Sequence, residues 1–273
     1  MPEGPEIRRA ADRLEKILVD QSIIKLEFGI LALKPRADDF QGKKVTAVET
    51  RGKALLTHFD NGLTIYSHNQ LYGRWYIVKR DQYPTTNRSL RLALHTLKHS
   101  ALLYSASEIA VLDSDQLQLH PFLARIGPDI LDPALHWREV AGRLLASQFR
   151  NRTVASLYLD QGFLAGVGNY LRSELLFDGG IDPYARPKDL TSKEVNKLAR
   201  STLKISRRAY DTAGITNPSK KVAELKKSGF KRSDYRHAVF GRDKRECYVC
   251  GNCIIKKTIG SRRLYQCPLC QHS

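Results

Sequence analysis

No run of 18 apolar residues occurs in the sequence, so no segment is long and apolar enough to cross a bilayer as a helix. The first ten residues already carry charge and leave no apolar core for a secretory signal. Cysteine is missing from the first 246 positions, and all five cysteines lie in the last 27 residues. An odd number crowded into one place argues against a disulfide framework and for a metal site in a reducing, cytoplasmic setting. His58, His68 and the other histidines show no ligand spacing. Acidic residues are scarce, with 28 Asp and Glu against 45 Lys and Arg and a formal net charge of +17. Residues 200–273 alone hold 18 Lys and Arg against 5 Asp and Glu. A basic C-terminal quarter points to nucleic acid more than to a small acidic metabolite. A length of 273 residues suffices for one large or two modest domains with real cores.

What is present takes shape along the chain. From Glu6 to Val19, Ile7, Ala10, Ala11, Leu14, Ile17 and Leu18 recur at helical steps, which predicts an amphipathic helix starting after Pro5. Short runs at 23–28, 44–49, 54–59, 63–68, 74–79, 90–94, 101–105 and 109–112 read as strands of a sandwich or barrel. Asp60-Asn61-Gly62 closes a hairpin between two of them, so Lys53 and the loop Asn69-Gln70-Leu71-Tyr72-Gly73 should emerge at one end of the sheet. Residues 120–133, rich in proline, read as an interdomain linker that contains Arg125. Helices are expected over 137–149, 153–161, 169–177 and 191–212, the last opened by a Thr191–Glu194 capping box. Between the second and third, Gly162–Asn169 forms a glycine-rich turn feeding a helix N-terminus, which suits a phosphate, with Asn169 capping the helix or donating to that phosphate. Residues 216–245 read as a mobile basic segment that orders on a polyanion, or as a solubilising linker. Cys247-x2-Cys250-x16-Cys267-x2-Cys270 has the spacing of a four-cysteine zinc ribbon, with Cys253 left over and His272 a weaker alternative ligand.

The N-terminus carries the chemical question. With Met1 removed, the chain would begin at Pro2, a secondary amine that titrates near ~8 where a lysine titrates near ~10.4. Such an amine condenses with a sugar C1′ to give an iminium, and Glu3 beside it is placed to act as general acid or base. Read alone, the same residues are also an ordinary helix start.

Taken together, MPEGPEI at the start, RGKALL at 51–56, YSHNQLYG at 66–73, LDQGFLAGVGNYLRSELL at 159–176 and GSRRLYQCPLC at 260–270 resemble the formamidopyrimidine/endonuclease VIII family of DNA glycosylases. Gly4 and the NQLYG loop resemble the endonuclease VIII branch, which handles oxidised pyrimidines. The resemblance implies an α+β multidomain chain: an N-terminal catalytic β-sandwich with a flanking helix (2–124), a linker (125–135), a helix-two-turn-helix domain (136–214), a basic connecting segment (215–237) and a zinc finger (238–273). It implies Pro2 as Schiff-base nucleophile, Glu3 as acid/base, Lys53 in β-elimination and Arg262 in δ-elimination. Gln70, Arg125 and Asn169 become DNA contacts, and Gln70-Leu71-Tyr72 fills the gap left by a flipped nucleotide. It further implies one structural Zn²⁺ on Cys247, Cys250, Cys267 and Cys270. The implied partner is double-stranded DNA with oxidised bases or abasic sites, and the chain is expected to be a cytoplasmic, nucleoid-associated monomer. The sequence departs from the endonuclease VIII pattern in the longer, more basic stretch 215–240 and in Cys253.

Overall fold

The structure, a computed structural model, describes residues 2–70 and 72–271. Its contacts divide the chain into two units, one of Pro2 and Glu6–Arg125, the other of Glu3–Pro5 and the chain from Ile126 onward.

The first unit begins with α1 (Gly4–Leu18), whose Ile7, Ala11, Leu14 and Leu18 form the buried stripe expected at helical spacing. Eight strands follow: β1 (Lys25–Phe28), β2 (Val45–Arg51), β3 (Ala54–Phe59), β4 (Thr64–His68), β5 (Arg74–Lys79), β6 (Leu90–His95), β7 (His99–Tyr104) and β8 (Glu108–Leu112). They make two four-stranded sheets of order β2-β3-β4-β8 and β1-β6-β7-β5, with antiparallel pairing throughout. Val48, Leu55, Ile65 and Val111 of one sheet share a core with Phe28, Leu92, Leu94 and Leu103 of the other and with the α1 stripe, which makes the unit a β-sandwich. The opposite face of β3–β4 is also covered, because Ala54, Leu56 and Tyr66 pack under Leu117, Phe122 and Leu123. This cover includes α2 (Ser114–Leu119), a short helix opened by an Asp113–Gln116 capping box, in a stretch for which no helix was expected. A 3₁₀ stretch, Leu31–Phe40, drives Phe40 into the core.

The second unit is helical: α3 (Trp137–Leu145), α4 (Val154–Leu157), α5 (Asn169–Gly179) and α6 (Ser192–Asp211). Leu144, Leu157, Phe163, Leu171, Leu175 and Leu198 sit in its fully buried core. The capping box of α6 forms as expected, with Thr191 and Glu194 exchanging side-chain-to-backbone bonds of 3.3 and 2.8 Å. The helix expected over 153–161 shrinks to one turn, because the Asp160 carboxylate accepts from Gly162 N at 2.8 Å and turns the chain. Residues expected as linker belong to this unit in part. Ile130 and Leu135 are buried in its core, and Gly127 N donates to Gln161 O at 2.8 Å.

The basic stretch is folded on the protein itself. It forms α7 (Ser219–Lys227) and α8 (Arg232–Tyr235), and Thr216 N bonds Arg236 O at 2.8 Å to close the excursion at its base. Glu174 organises that base, since its buried carboxylate accepts from the amides of Ala238, Val239 and Phe240 at 2.8–2.9 Å and from the Thr216 hydroxyl. The chain ends in a hairpin of β9 (Ile255–Ile259) and β10 (Arg262–Gln266). Among the described residues, no helix is long and apolar enough to cross a membrane.

Candidate active site and metal centre

Glu3 is 2% exposed, and its carboxylate accepts three backbone N–H bonds at the start of α5: from Gly168 at 2.7 Å, Tyr170 at 2.9 Å and Leu171 at 3.2 Å. This corrects the phosphate reading of the glycine-rich turn. The unshielded amides and positive dipole end are present, but the anion that fills them is the chain's own. It also corrects the capping role of Asn169, because Gly168 is the N-cap and Asn169 is the first residue of the helix. Glycine is required at 168 for space: a Cβ there would lie 2.4 Å from the Glu3 carboxyl group. Arg143 braces the turn through Phe163 O at 2.9 Å and Gly162 O at 2.8 Å, while Gln161 spans Gly166 N and Val167 O at 3.0 Å each. Gly4 N donates to Gly166 O at 2.8 Å, so Glu3 and its neighbours are held from both sides. Pro2, half-buried, is the residue before this fixed carboxylate.

Arg172 ties α5 to the finger beneath the carboxylate's helix, and sequence reasoning missed it. It is fully buried, donates to Ala155 O at 2.9 Å and to Arg263 O at 3.1 Å, and leaves Nε without a partner. Burial holds its guanidinium below the usual range; Glu3 opposes that shift and Arg262 adds to it. Arg262 itself is exposed and opens β10 after a two-residue turn in which Gly260 and Ser261 both have positive φ, as a type I′ hairpin requires.

In the first unit, the expected neighbours meet. Lys53 follows Gly52 in the two-residue turn joining Arg51 to Ala54, with Gly52 at φ +62°. Ala54 pairs with His68, so Lys53 lies at the strand end from which Asn69–Gly73 leaves. The Lys53 ammonium is felt by His68: burial first, and that charge second, push the imidazole down to about 4. Gln70 is exposed with φ +45°, and Gly73 N closes the loop on Asn69 O at 2.8 Å. Tyr72 is 65% exposed. Leu71 lies outside the described residues. Arg125 is exposed at the end of a 3₁₀ turn, Leu123–Arg125, which closes this unit.

The four expected cysteines converge. Their sulfurs all lie within 4.8 Å of one another, with Cys250–Cys267 at 3.4 Å and Cys247–Cys270 at 3.9 Å. Zn–S bonds of ~2.3 Å in a tetrahedron give an edge of roughly 3.8 Å, so the set fits one four-coordinate ion. Burial raises the Cys267 and Cys270 thiols, and a cation is what allows four thiolates to share that space. Cys253 is exposed and outside the set, while His272 lies beyond the described residues. The finger is tied to α5, because Ser173 Oγ accepts from Tyr265 N at 3.2 Å. Gln271 adds a second tie by donating to Ile181 O at 3.1 Å.

Residues 1–108 match the formamidopyrimidine-DNA glycosylase N-terminal domain, and residues 126–220 match the H2TH domain of the same enzymes. Endonuclease 8 of Salmonella schwarzengrund and of Salmonella enteritidis are each 48% identical over 271 residues, covering 99% of this chain and 100% of theirs. Lactococcus lactis formamidopyrimidine-DNA glycosylase, solved with DNA containing an AP site, shares the fold with a TM-score of 0.80 at 21% identity over 99% of this chain and 100% of that one. On the two domain matches and the full-length likeness, the chain belongs to the formamidopyrimidine-DNA glycosylase/endonuclease VIII family.

Proposed function

We propose that the protein is a bifunctional DNA glycosylase and AP lyase of base excision repair that removes oxidised pyrimidines from duplex DNA. The observation that supports this most is the clamped Glu3 carboxylate, fixed by three amides one residue from the Pro2 nitrogen. The pyrimidine assignment rests on the resemblance of Gly4 and the NQLYG loop to the endonuclease VIII branch, and the 48% identity to Endonuclease 8 over the full chain supports that branch.

The chemistry starts with the free Pro2 amine, once Met1 is removed. Its lone pair attacks C1′ of a nucleotide flipped from the stack, and the glycosidic bond breaks with its electron pair leaving on the base. Glu3 delivers and receives protons as the sugar ring opens. The resulting iminium acidifies the C2′ proton; its loss expels the 3′ phosphate by β-elimination, with Lys53 against the phosphate. A second elimination expels the 5′ phosphate, assisted by Arg262. Gln70, Leu71 and Tyr72 fill the vacated stack, while Arg125 and Asn169 grip backbone. Cys247, Cys250, Cys267 and Cys270 would hold one Zn²⁺, whose role is to fold the hairpin that carries Arg262. Residues 2–124 form the catalytic domain in this scheme, 125–135 the linker, 136–214 the helix-two-turn-helix domain, 215–237 the basic connection and 238–273 the finger.

Oligonucleotides carrying thymine glycol, dihydrouracil or 8-oxoguanine test the substrate class. Cleavage at the two pyrimidine lesions in preference to 8-oxoguanine paired with cytosine is expected. Efficient excision of 8-oxoguanine with thymine glycol left intact would overturn it.

A further inference from the structure

The long helix α6 carries charge that the proposed catalysis does not use. Lys193, Lys197, Arg200, Lys204 and Arg207 are all exposed and follow one another at steps of four, three, four and three residues. That spacing sets them on one face over about 21 Å of helix. The opposite face, with Val195, Leu198, Ala199, Ile205 and Ala209, is buried in the core of the second unit, so the row is mounted on a fixed rod. Lys204 is held by Asp178 at 2.6 Å, which leaves four cations of the row for a ligand.

A second observation marks this face as more than a solvated one. Trp137, at the start of α3, packs beside the row, with the Arg200 guanidinium 3.7 Å from its ring centre and that of Arg138 at 4.8 Å. Stacking holds Arg200 in place before any ligand arrives, which lowers the ordering cost of using it. The hollow between them, about 400 Å³, is lined by Pro133–Trp137 with Arg200, Leu203, Lys204 and Arg207, and by no acidic residue.

We propose that this face of α6 with Trp137 is a second duplex-binding surface that contacts the phosphate backbone without regard to damage and takes no part in the chemistry. A straight row of fixed cations is matched by a partner with negative charge repeated along its length. One strand of a duplex offers a phosphate about every 3.4 Å of axis while winding around it, so a straight row meets only a few of them at a time. Such a surface would keep the enzyme on undamaged DNA between lesions.

The test uses the full, zinc-loaded chain and fluorescence anisotropy of a labelled, undamaged duplex across a salt series. Losing two phosphate contacts in Arg200→Gln/Arg207→Gln should flatten the slope of log affinity against log salt by roughly 1.8. Cleavage of a short abasic duplex at saturating enzyme should stay at the wild-type rate. Arg207→Gln alone, which keeps the Trp137 stack, should give about half the change in slope and covers the case in which the double variant melts early. An unchanged slope in both variants would overturn the proposal, as would an equal loss of short-duplex cleavage, which would put the row in the catalytic contact. Weakened binding of polyglutamate with duplex binding untouched would also overturn it, in favour of an acidic protein partner. Because binding is read on undamaged DNA, these outcomes stand apart from any failure of the proposed chemistry.

Discussion

At the residue scale the fold is most demanding around Glu3. A side chain that accepts from three amides cannot tolerate a methyl group where Gly168 stands, although φ −134° is open to any residue. Gly168→Ala should therefore displace the carboxylate without straining the backbone. Single-turnover base release should fall by about the 10²–10⁴-fold typical of a lost acid/base group, while the melting curve shifts little. A wild-type rate would detach Glu3 from the chemistry. The Lys53 turn offers an independent check through its neighbour. Because the ammonium helps push His68 down to about 4, Lys53→Gln should raise the His68 imidazole, as NMR titration of its ring reports. An unmoved His68 would place the lysine's charge elsewhere.

At the scale of elements, the finger shows how a short hairpin is made rigid. It has a small cluster of Val239, Cys247, Ile254, Tyr265 and Cys267, too little apolar surface to fold alone. Removing the metal with a chelator should melt β9–β10, carrying Arg262 with it, while the β-sandwich of the first unit stays folded. Circular dichroism and loss of strand cleavage would report this, and restored cleavage on adding Zn²⁺ would complete the test; full activity after chelation would contradict the assignment. Elements with strong local signals were legible in the sequence: the α1 stripe, the Thr191 capping box, the hairpin at Asp60-Asn61-Gly62 and the cysteine knuckles. What was not legible depends on distant partners. Leu31–Phe40 and α2 exist because Phe40, Leu117 and Leu123 cover sheet faces. The basic stretch looked mobile because its organising group, Glu174, lies 42 residues or more away from what it binds. Arg172 and the filling of the α5 N-terminus by Glu3 arise from contacts that span up to 168 residues.

At the scale of the whole molecule, charge and burial set the response to solution conditions. The net charge of +17 and the basic final quarter predict that DNA affinity falls steeply with salt, as bound phosphates release counterions. His68 in the first unit and His237 in the second are both held neutral by burial, at about 4 and about 3. Their folded values lie below the unfolded value of 6.5, so the unfolded chain binds more protons as pH falls from 6.5. The stability they contribute is complete above that pH and is lost on acidification toward pH 4. Each pH unit over which one such group stays neutral is worth ~1.4 kcal/mol, so melting temperature should drop clearly between pH 6.5 and 4, and the drop should shrink, though not vanish, in His237→Phe. A flat profile would contradict the lowered imidazoles of the buried His237 and the half-buried His68.

The proposed nucleophile is an N-terminal secondary amine. Borohydride reduction of the enzyme on abasic-site DNA reads it directly. The expected result is a covalent enzyme–DNA adduct whose attachment maps to Pro2, a strong loss of trapping in Pro2→Ala, and no trapping when Met1 is retained. Undiminished trapping by either variant would contradict it and move the nucleophile to another amine, Lys53 first.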